Sequence, residues 1–225
     1  MKRVVVTGLG LVTPLGCGVN HSWDNLLSGI SGVKKITKFD PINHKCKVAC
    51  EVPLGSAIDG KFNPEEWIEK KEIKKIDDFI QFSMAASEQA FLDSKIQIST
   101  ELSLRSGAII GSGIGGLPGI ERAALDYYVN KKKISPFFIT GRLINMAAGY
   151  ASLKYNLKGP NYATVSACAS GAHAIGESVR LIQSGKMDLM LTGGTEDAIS
   201  PLGIEGFTAC RALSTKYNDE PSKAS

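Results

Sequence analysis

Residues 164–173 read Thr-Val-Ser-Ala-Cys-Ala-Ser-Gly-Ala-His, and this stretch decides the reading of the chain. A β-branched run gives way to small residues around Cys168 and then to a helix-compatible segment. The pattern predicts a strand over 162–167 and a helix over 170–183, with the cysteine at their junction. A sulfur at a helix N-terminus meets unpaired backbone N–H groups and the positive end of the macrodipole, both of which favour a thiolate. Ala167, Ala169, Ser170 and Gly171 are all small, which leaves room for a substrate and lets the Cys168 N–H face a developing oxyanion. The same local pattern also fits a small buried hydrophobe, and both readings stand at this point.

Working outward, strand-then-helix recurs. Residues 3–8 read as a short buried strand ending in glycine, residues 20–27 as a helix, and 76–93 as a longer helix with small and apolar groups along one side. Residues 106–110 form an apolar strand, followed by helices over about 120–129 and 139–155 and a further buried strand over 187–192. Between about 30 and 75 the pattern is irregular and broken by Pro41 and Pro53. From Ser214 onward the chain turns polar with no further element. Alternation of this kind predicts an α/β fold with a mostly parallel sheet covered by helices on both faces.

With 225 residues, 43% of them hydrophobic and 21% charged, the composition is that of an ordinary globular domain rather than a disordered one. The opening Met-Lys-Arg-Val-Val-Val and the lack of a long apolar run predict a soluble cytoplasmic protein with no presequence and no membrane span. Five scattered cysteines, Cys17, Cys46, Cys50, Cys168 and Cys210, argue against a disulfide framework. His44, Cys46 and Cys50 raise a zinc site, but no second ligand pair follows at a workable spacing, so no metal is expected. Lys70, Lys71, Lys74 and Lys75, and again Lys131 to Lys133, form basic runs that read first as solvated faces. No aromatic or groove-reading element accompanies them, which argues against nucleic acid.

A nucleophilic cysteine wants a base. His173 lies five positions along the helix, about 500° of rotation, so its side chain points roughly 140° away from that of Cys168. His21 and His44 fall in the irregular part of the chain, with nothing in the pattern to aim them at the cysteine. Gly111-Ser112-Gly113-Ile114-Gly115-Gly116 satisfies a dinucleotide-binding spacing. The required second strand and acid about 20 residues on are replaced by Asn-Lys-Lys-Lys-Ile-Ser-Pro, so a nicotinamide oxidoreductase is set aside.

Together these segments resemble the β-ketoacyl-acyl-carrier-protein synthases, and most closely the type II elongating synthases of fatty acid synthesis. The resemblance rests on Val-Val-Val-Thr-Gly-Leu-Gly at 4–10, Gly-Ser-Gly-Ile-Gly-Gly-Leu at 111–117 and Ile-Ser-Pro-Phe-Phe at 134–138. It rests equally on Ala-Cys-Ala-Ser-Gly-Ala-His at 167–173 and Pro-Leu-Gly-Ile-Glu-Gly-Phe at 201–207, followed by Arg-Ala-Leu-Ser. It implies a thiolase-like fold of which residues 1–225 form the N-terminal half, the C-terminal half being absent. It further implies that Cys168 accepts an acyl chain from the phosphopantetheine arm of an acyl carrier protein, with no other cofactor. Malonyl carrier protein then decarboxylates and lengthens the chain. Ile114, Phe138 and Phe207 match residues lining the acyl pocket, for which plain core packing is the alternative. Lys71, Lys74 and Lys75 match the patch that receives the acidic carrier protein. Such enzymes are homodimers about twice as long, and their catalytic histidines, lysine and gating phenylalanine belong to the other half. Condensation by this chain alone is therefore not expected; a missing half acting in trans, or a non-catalytic remnant pairing with a full-length synthase, are the alternatives.

Overall fold

Ser106–Gly111 is a hexapeptide of small residues and two isoleucines buried at every position, and the principal sheet is built on it. The computed structural model describes residues 2–224. In chain order the elements begin with strands β1 (Val12–Thr13) and β2 (Gly16–Cys17), helix α1 (Val19–Leu27), and strands β3 (Lys34–Lys35) and β4 (Val48–Ala49). Helices α2 (Lys70–Ile73), α3 (Asp78–Ser94) and α4 (Thr100–Leu104) lead into β5 (Ser106–Gly111), then α5 (Leu117–Tyr128) and α6 (Met146–Tyr155). Strand β6 (Asn161–Tyr162), helix α7 (Ser170–Gln183), strand β7 (Leu189–Gly194) and helix α8 (Pro201–Ala209) complete the set.

The chain divides into two compact units, one of residues 1–10 and 67–197, the other of residues 11–66 and 198–225. The first unit holds the three-stranded sheet, in the order β6-β5-β7, with both pairings parallel. Side chains alternate across a strand. Ala108 and Ile110 of β5 accordingly enter a core with Phe79, Ile80 and Met84 of α3 and Ala147, Ala148 and Ala151 of α6. Gly111, of opposite parity, faces α7: a methyl built there would lie 2.4 Å from the Ser170 carbonyl oxygen. The sheet is thus flanked by helices on both faces. Ser99 caps α4 by accepting the Leu102 N–H at 3.1 Å, and Lys95 and Asn156 end α3 and α6 in left-handed conformations. The second unit carries two short antiparallel pairs, β1-β2 and β3-β4, and a small core of Ile36, Cys46, Val48 and Ile204.

Several predicted boundaries shift. Helix α7 spans the residues expected, and β5 extends one residue further. The strand foreseen over 162–167 is confined to Asn161–Tyr162, because the backbone turns at 166–169. The helix foreseen from 139 begins at Met146; before it, Gly141 is pressed against the Lys75 carbonyl, where a methyl would lie 2.0 Å away. Residues 3–8 form no strand: Gly8 and Gly10 seat the segment on α3, where added methyls would lie 2.1 Å from the Ala90 oxygen and 1.8 Å from the Ala86 oxygen. A groove of about 50 Å3, floored by Ala90, Phe91 and Ile96, runs between Thr7–Gly8 and Leu189–Leu191 of β7. Val5 and Val6 are left 59% and 78% exposed.

Candidate active site

Cys168 is exposed and lies two residues before the start of α7, on a turn fixed from several directions. Ala167, immediately before it, has φ of 52°, a left-handed backbone that an L-residue adopts only when its surroundings impose it. The surroundings centre on Ser170, which is 3% exposed. Its Oγ donates to the Ala167 carbonyl at 2.7 Å and accepts the Ser166 N–H at 2.9 Å. Thr164 Oγ1 donates to the Ser170 carbonyl at 2.7 Å. These bonds hold the turn in a single shape around the thiol.

Three glycines let α7 start where it does. A methyl on Gly194 of β7 would lie 2.8 Å from the Gly171 Cα, and a methyl on Gly111 of β5 would meet Ser170. Sheet ends and helix start therefore touch backbone to backbone.

The glycine-rich loop after β5 wraps a carboxylate of its own chain. The N–H groups of Gly113, Ile114 and Gly115 donate to Glu196 at 2.7, 2.9 and 2.9 Å, and Ser112 Oγ donates to it at 3.1 Å. Consecutive N–H groups of this kind form an anion-binding concavity, and here the anion is internal. Glu196 carried no signal in the sequence, since its partners lie more than 80 positions away.

His173 is engaged elsewhere in the turn: its Nδ1 is 2.6 Å from Ser166 Oγ. In the second unit, His44 Nδ1 lies 3.5 Å from Glu205 and its ring packs edge-on against Phe39, while the His21 ring fills the space above Gly16 and Gly60. Cys46 is buried with its Sγ 3.3 Å from the Val48 carbonyl, and Cys50 is exposed overall, though partial desolvation pushes its thiol up. Among the described residues, no group of three His, Cys, Asp or Glu side chains is arranged to hold a metal ion.

Ile114 rides on the glycine-rich loop and Phe138 lies in the turns before α6. The two segments are linked: the Gly116 N–H donates to the Arg142 carbonyl at 3.2 Å, and the Arg142 guanidinium lies 5.8 Å from the Phe138 ring centroid. Phe207 belongs to α8, in the second unit. Lys71 is exposed and paired with Glu69 at 2.7 Å, which raises the lysine and lowers the glutamate in pKa. Lys75 is held by Glu72 at 2.6 Å and sits 4.9 Å from the Phe137 ring centroid. Lys74 lines a polar cavity of about 170 Å3 together with Asp77, Arg122 and Arg142. Burial pushes the Asp77 carboxyl up, against the opposing pull of Arg142 3.3 Å away.

Among the described residues, no helix is long and apolar enough to cross a membrane. Comparison with known proteins places the chain. The family model described as beta-ketoacyl synthase, N-terminal domain, matches residues 1–225. A 3-oxoacyl-(acyl-carrier-protein) synthase 2 of Rhizobium meliloti is 49% identical over all of this chain and 54% of its own length. A mitochondrial 3-oxoacyl-(acyl-carrier-protein) synthase of Arabidopsis thaliana is 41% identical over all of this chain and 51% of its own. Among solved structures, a beta-ketoacyl synthase from Burkholderia phymatum superposes with a TM-score of 0.82 at 30% identity, covering 99% of this chain and 53% of that one. A type II polyketide ketosynthase, solved in complex with its acyl-carrier protein and bound to the hexaketide, gives 0.78 at 28% identity over 96% of this chain and 50% of its own. The chain spans about half the length of the curated relatives it matches. The thiolase-like α/β fold expected from the sequence is the one it shares with these ketosynthases. With the family model matched from end to end, the chain belongs to the beta-ketoacyl synthases and represents their N-terminal domain.

Proposed function

We propose that this chain carries the acyl-accepting half of a 3-oxoacyl-acyl-carrier-protein synthase of fatty acid elongation, with Cys168 as the nucleophile. The observation that carries the reading is the exposed thiol on a braced, left-handed turn two residues before α7. In the step proposed, the Cys168 sulfur attacks the carbonyl of an acyl thioester. The bond from that carbonyl to the donor's sulfur breaks, and the departing phosphopantetheine thiol takes up the proton that Cys168 gives up. Splitting one hard transfer into two easier ones is the use of such a covalent intermediate. The Cys168 backbone N–H is the donor assigned to the oxyanion, since the N–H groups of Ala169 and Ser170 already donate to the Ser166 and Ala167 carbonyls.

The acyl donor in this reading is an acyl carrier protein, received near Lys71, Lys74 and Lys75. Support comes from the polyketide ketosynthase solved with its carrier protein. Ile114, Phe138 and Phe207 are assigned to the acyl pocket, and the working form is a cytoplasmic homodimer in which the second half of the synthase supplies the condensing groups. His173, the histidine of the first unit, is engaged with Ser166, which supports assigning decarboxylation to groups outside this chain.

The test is peptide mapping by mass spectrometry after incubation with a dodecanoyl thioester of N-acetylcysteamine. An adduct confined to Cys168 is the expected result. Equal labelling of Cys17, Cys46, Cys50, Cys168 and Cys210 overturns the assignment, and steady β-ketoacyl product from the pure chain overturns the division of labour.

A further inference from the structure

We infer that Glu196 is a positioning residue for acyl acceptance at Cys168, an inference that rests on the function proposed above. Its carboxylate receives four hydrogen bonds from residues 112–115, three of them from successive backbone N–H groups. Hydrogen bonds donated to a charged acceptor are the stronger kind, and four of them on one group define the path of the loop. The loop is also what stands next to the nucleophile's turn: a methyl on Gly113 would lie 2.9 Å from Glu196 Oε2 and 3.4 Å from the Ala167 carbonyl oxygen. Glu196 thus presses the loop against the residue directly before Cys168, and Ile114, assigned to the acyl pocket, is fixed by its own N–H to the same carboxylate.

Glu196 is itself anchored. Its neighbour Thr195 donates its N–H to the Gly111 carbonyl at 3.0 Å and its Oγ1 to the Phe79 carbonyl at 2.6 Å. The carboxylate therefore hangs from a segment tied to both β5 and α3, and a loop that would otherwise be free at its glycines takes one conformation. Without the carboxylate, three aligned N–H dipoles repel one another and the glycines supply no restraint. A small reagent needs only the thiol. A long acyl chain needs the wall beside it in place, so loss of Glu196 should discriminate between the two.

The experiment compares the unmodified chain with Glu196→Ala and Glu196→Gln, using iodoacetamide and the dodecanoyl thioester of N-acetylcysteamine as probes, with hydrogen exchange at residues 113–115. For Glu196→Ala the expected result is faster loop exchange and a roughly tenfold slower acylation of Cys168, with iodoacetamide labelling changed less than twofold. Glu196→Gln keeps the size and one acceptor oxygen, should fall between, and serves if the alanine variant does not fold. Acylation at the unmodified rate in either variant overturns the inference, as does an equal fall with both probes, which is the mark of a merely structural role. Failure of the unmodified chain to take the acyl group, with Cys168 still alkylated, instead overturns the acyl-accepting reading, and the inference falls with it.

Discussion

Ser170 Oγ donates a 2.7 Å hydrogen bond to the carbonyl of Ala167, tying the first residue of α7 to the left-handed residue that precedes Cys168. The same oxygen accepts the Ser166 N–H, so one buried hydroxyl holds both sides of the turn. Ser170→Ala leaves the Ala167 carbonyl with one bond fewer and the Ser166 N–H without this partner. A loss of about 1–3 kcal/mol in unfolding free energy is expected from urea titration. Unchanged stability would show the turn to be held by other contacts.

Ala167 supplies a second test. A glycine adopts a φ of 52° without the steric cost that alanine meets there. Ala167→Gly should therefore raise the urea midpoint, by about 0.5–1 kcal/mol in free energy. A lower midpoint would mean that the methyl packs usefully where the backbone is strained.

Gly111 and Gly176 should respond in opposite directions to the same change. Gly111→Ala drives a methyl to within 2.4 Å of the Ser170 oxygen. Backbone cannot rotate away as a side chain can, so a cost of about 1–3 kcal/mol and a displaced start of α7 are expected. Gly176, inside α7, has nothing within 4 Å of an added methyl, and Gly176→Ala should stabilise by roughly 0.5–1 kcal/mol. Thermal melts of the two variants read the contrast directly.

Glu88 sets a pH dependence in the first unit. Burial acts to raise its carboxyl, but hydrogen bonds from Lys154 at 2.6 Å and Tyr155 at 2.5 Å together outweigh it and hold the group below its ordinary value. The same arrangement, burial first and then the carboxylate, raises the Tyr155 phenol. A carboxyl depressed in the folded state contributes stability above the unfolded value, and that stability is lost as pH falls through the folded one. Glu88→Gln should therefore narrow its difference from the unmodified chain on acidification below about pH 4.5, the ordinary range for glutamate. An unaltered difference across that range would show that Glu88 does not titrate with folding.

Much of this was legible in the residues. The run from Ser170 to Gln183 has helical spacing and small residues at its start, and α7 occupies those positions. β5 was readable because every residue in it is buried, so its apolar run is unbroken. What escaped was what depends on distant partners. The valines at 4–6 have strand character, yet a strand needs a hydrogen-bonding neighbour, and none of the described strands pairs with them. The helix α8 went unread because Pro201, Gly203 and Gly206 disguise it; Ser200 caps it by accepting the Gly203 N–H at 3.1 Å. The glycine-rich loop shows only a dinucleotide-like spacing in the sequence, and the fold alone reveals that its N–H groups bind Glu196.

Strand β7 pairs with β5 along one edge, while its other edge borders the groove beside Thr7 and Gly8. Peptide groups there that find no strand partner carry capacity for an intermolecular ladder, and the nearby chain exposes Val5 and Val6. Sample history then becomes a variable of this polypeptide: its light-scattering mass should climb with milligrams per millilitre. Val6→Lys, which puts a charge on an exposed apolar residue next to Thr7, is the change expected to keep it monodisperse.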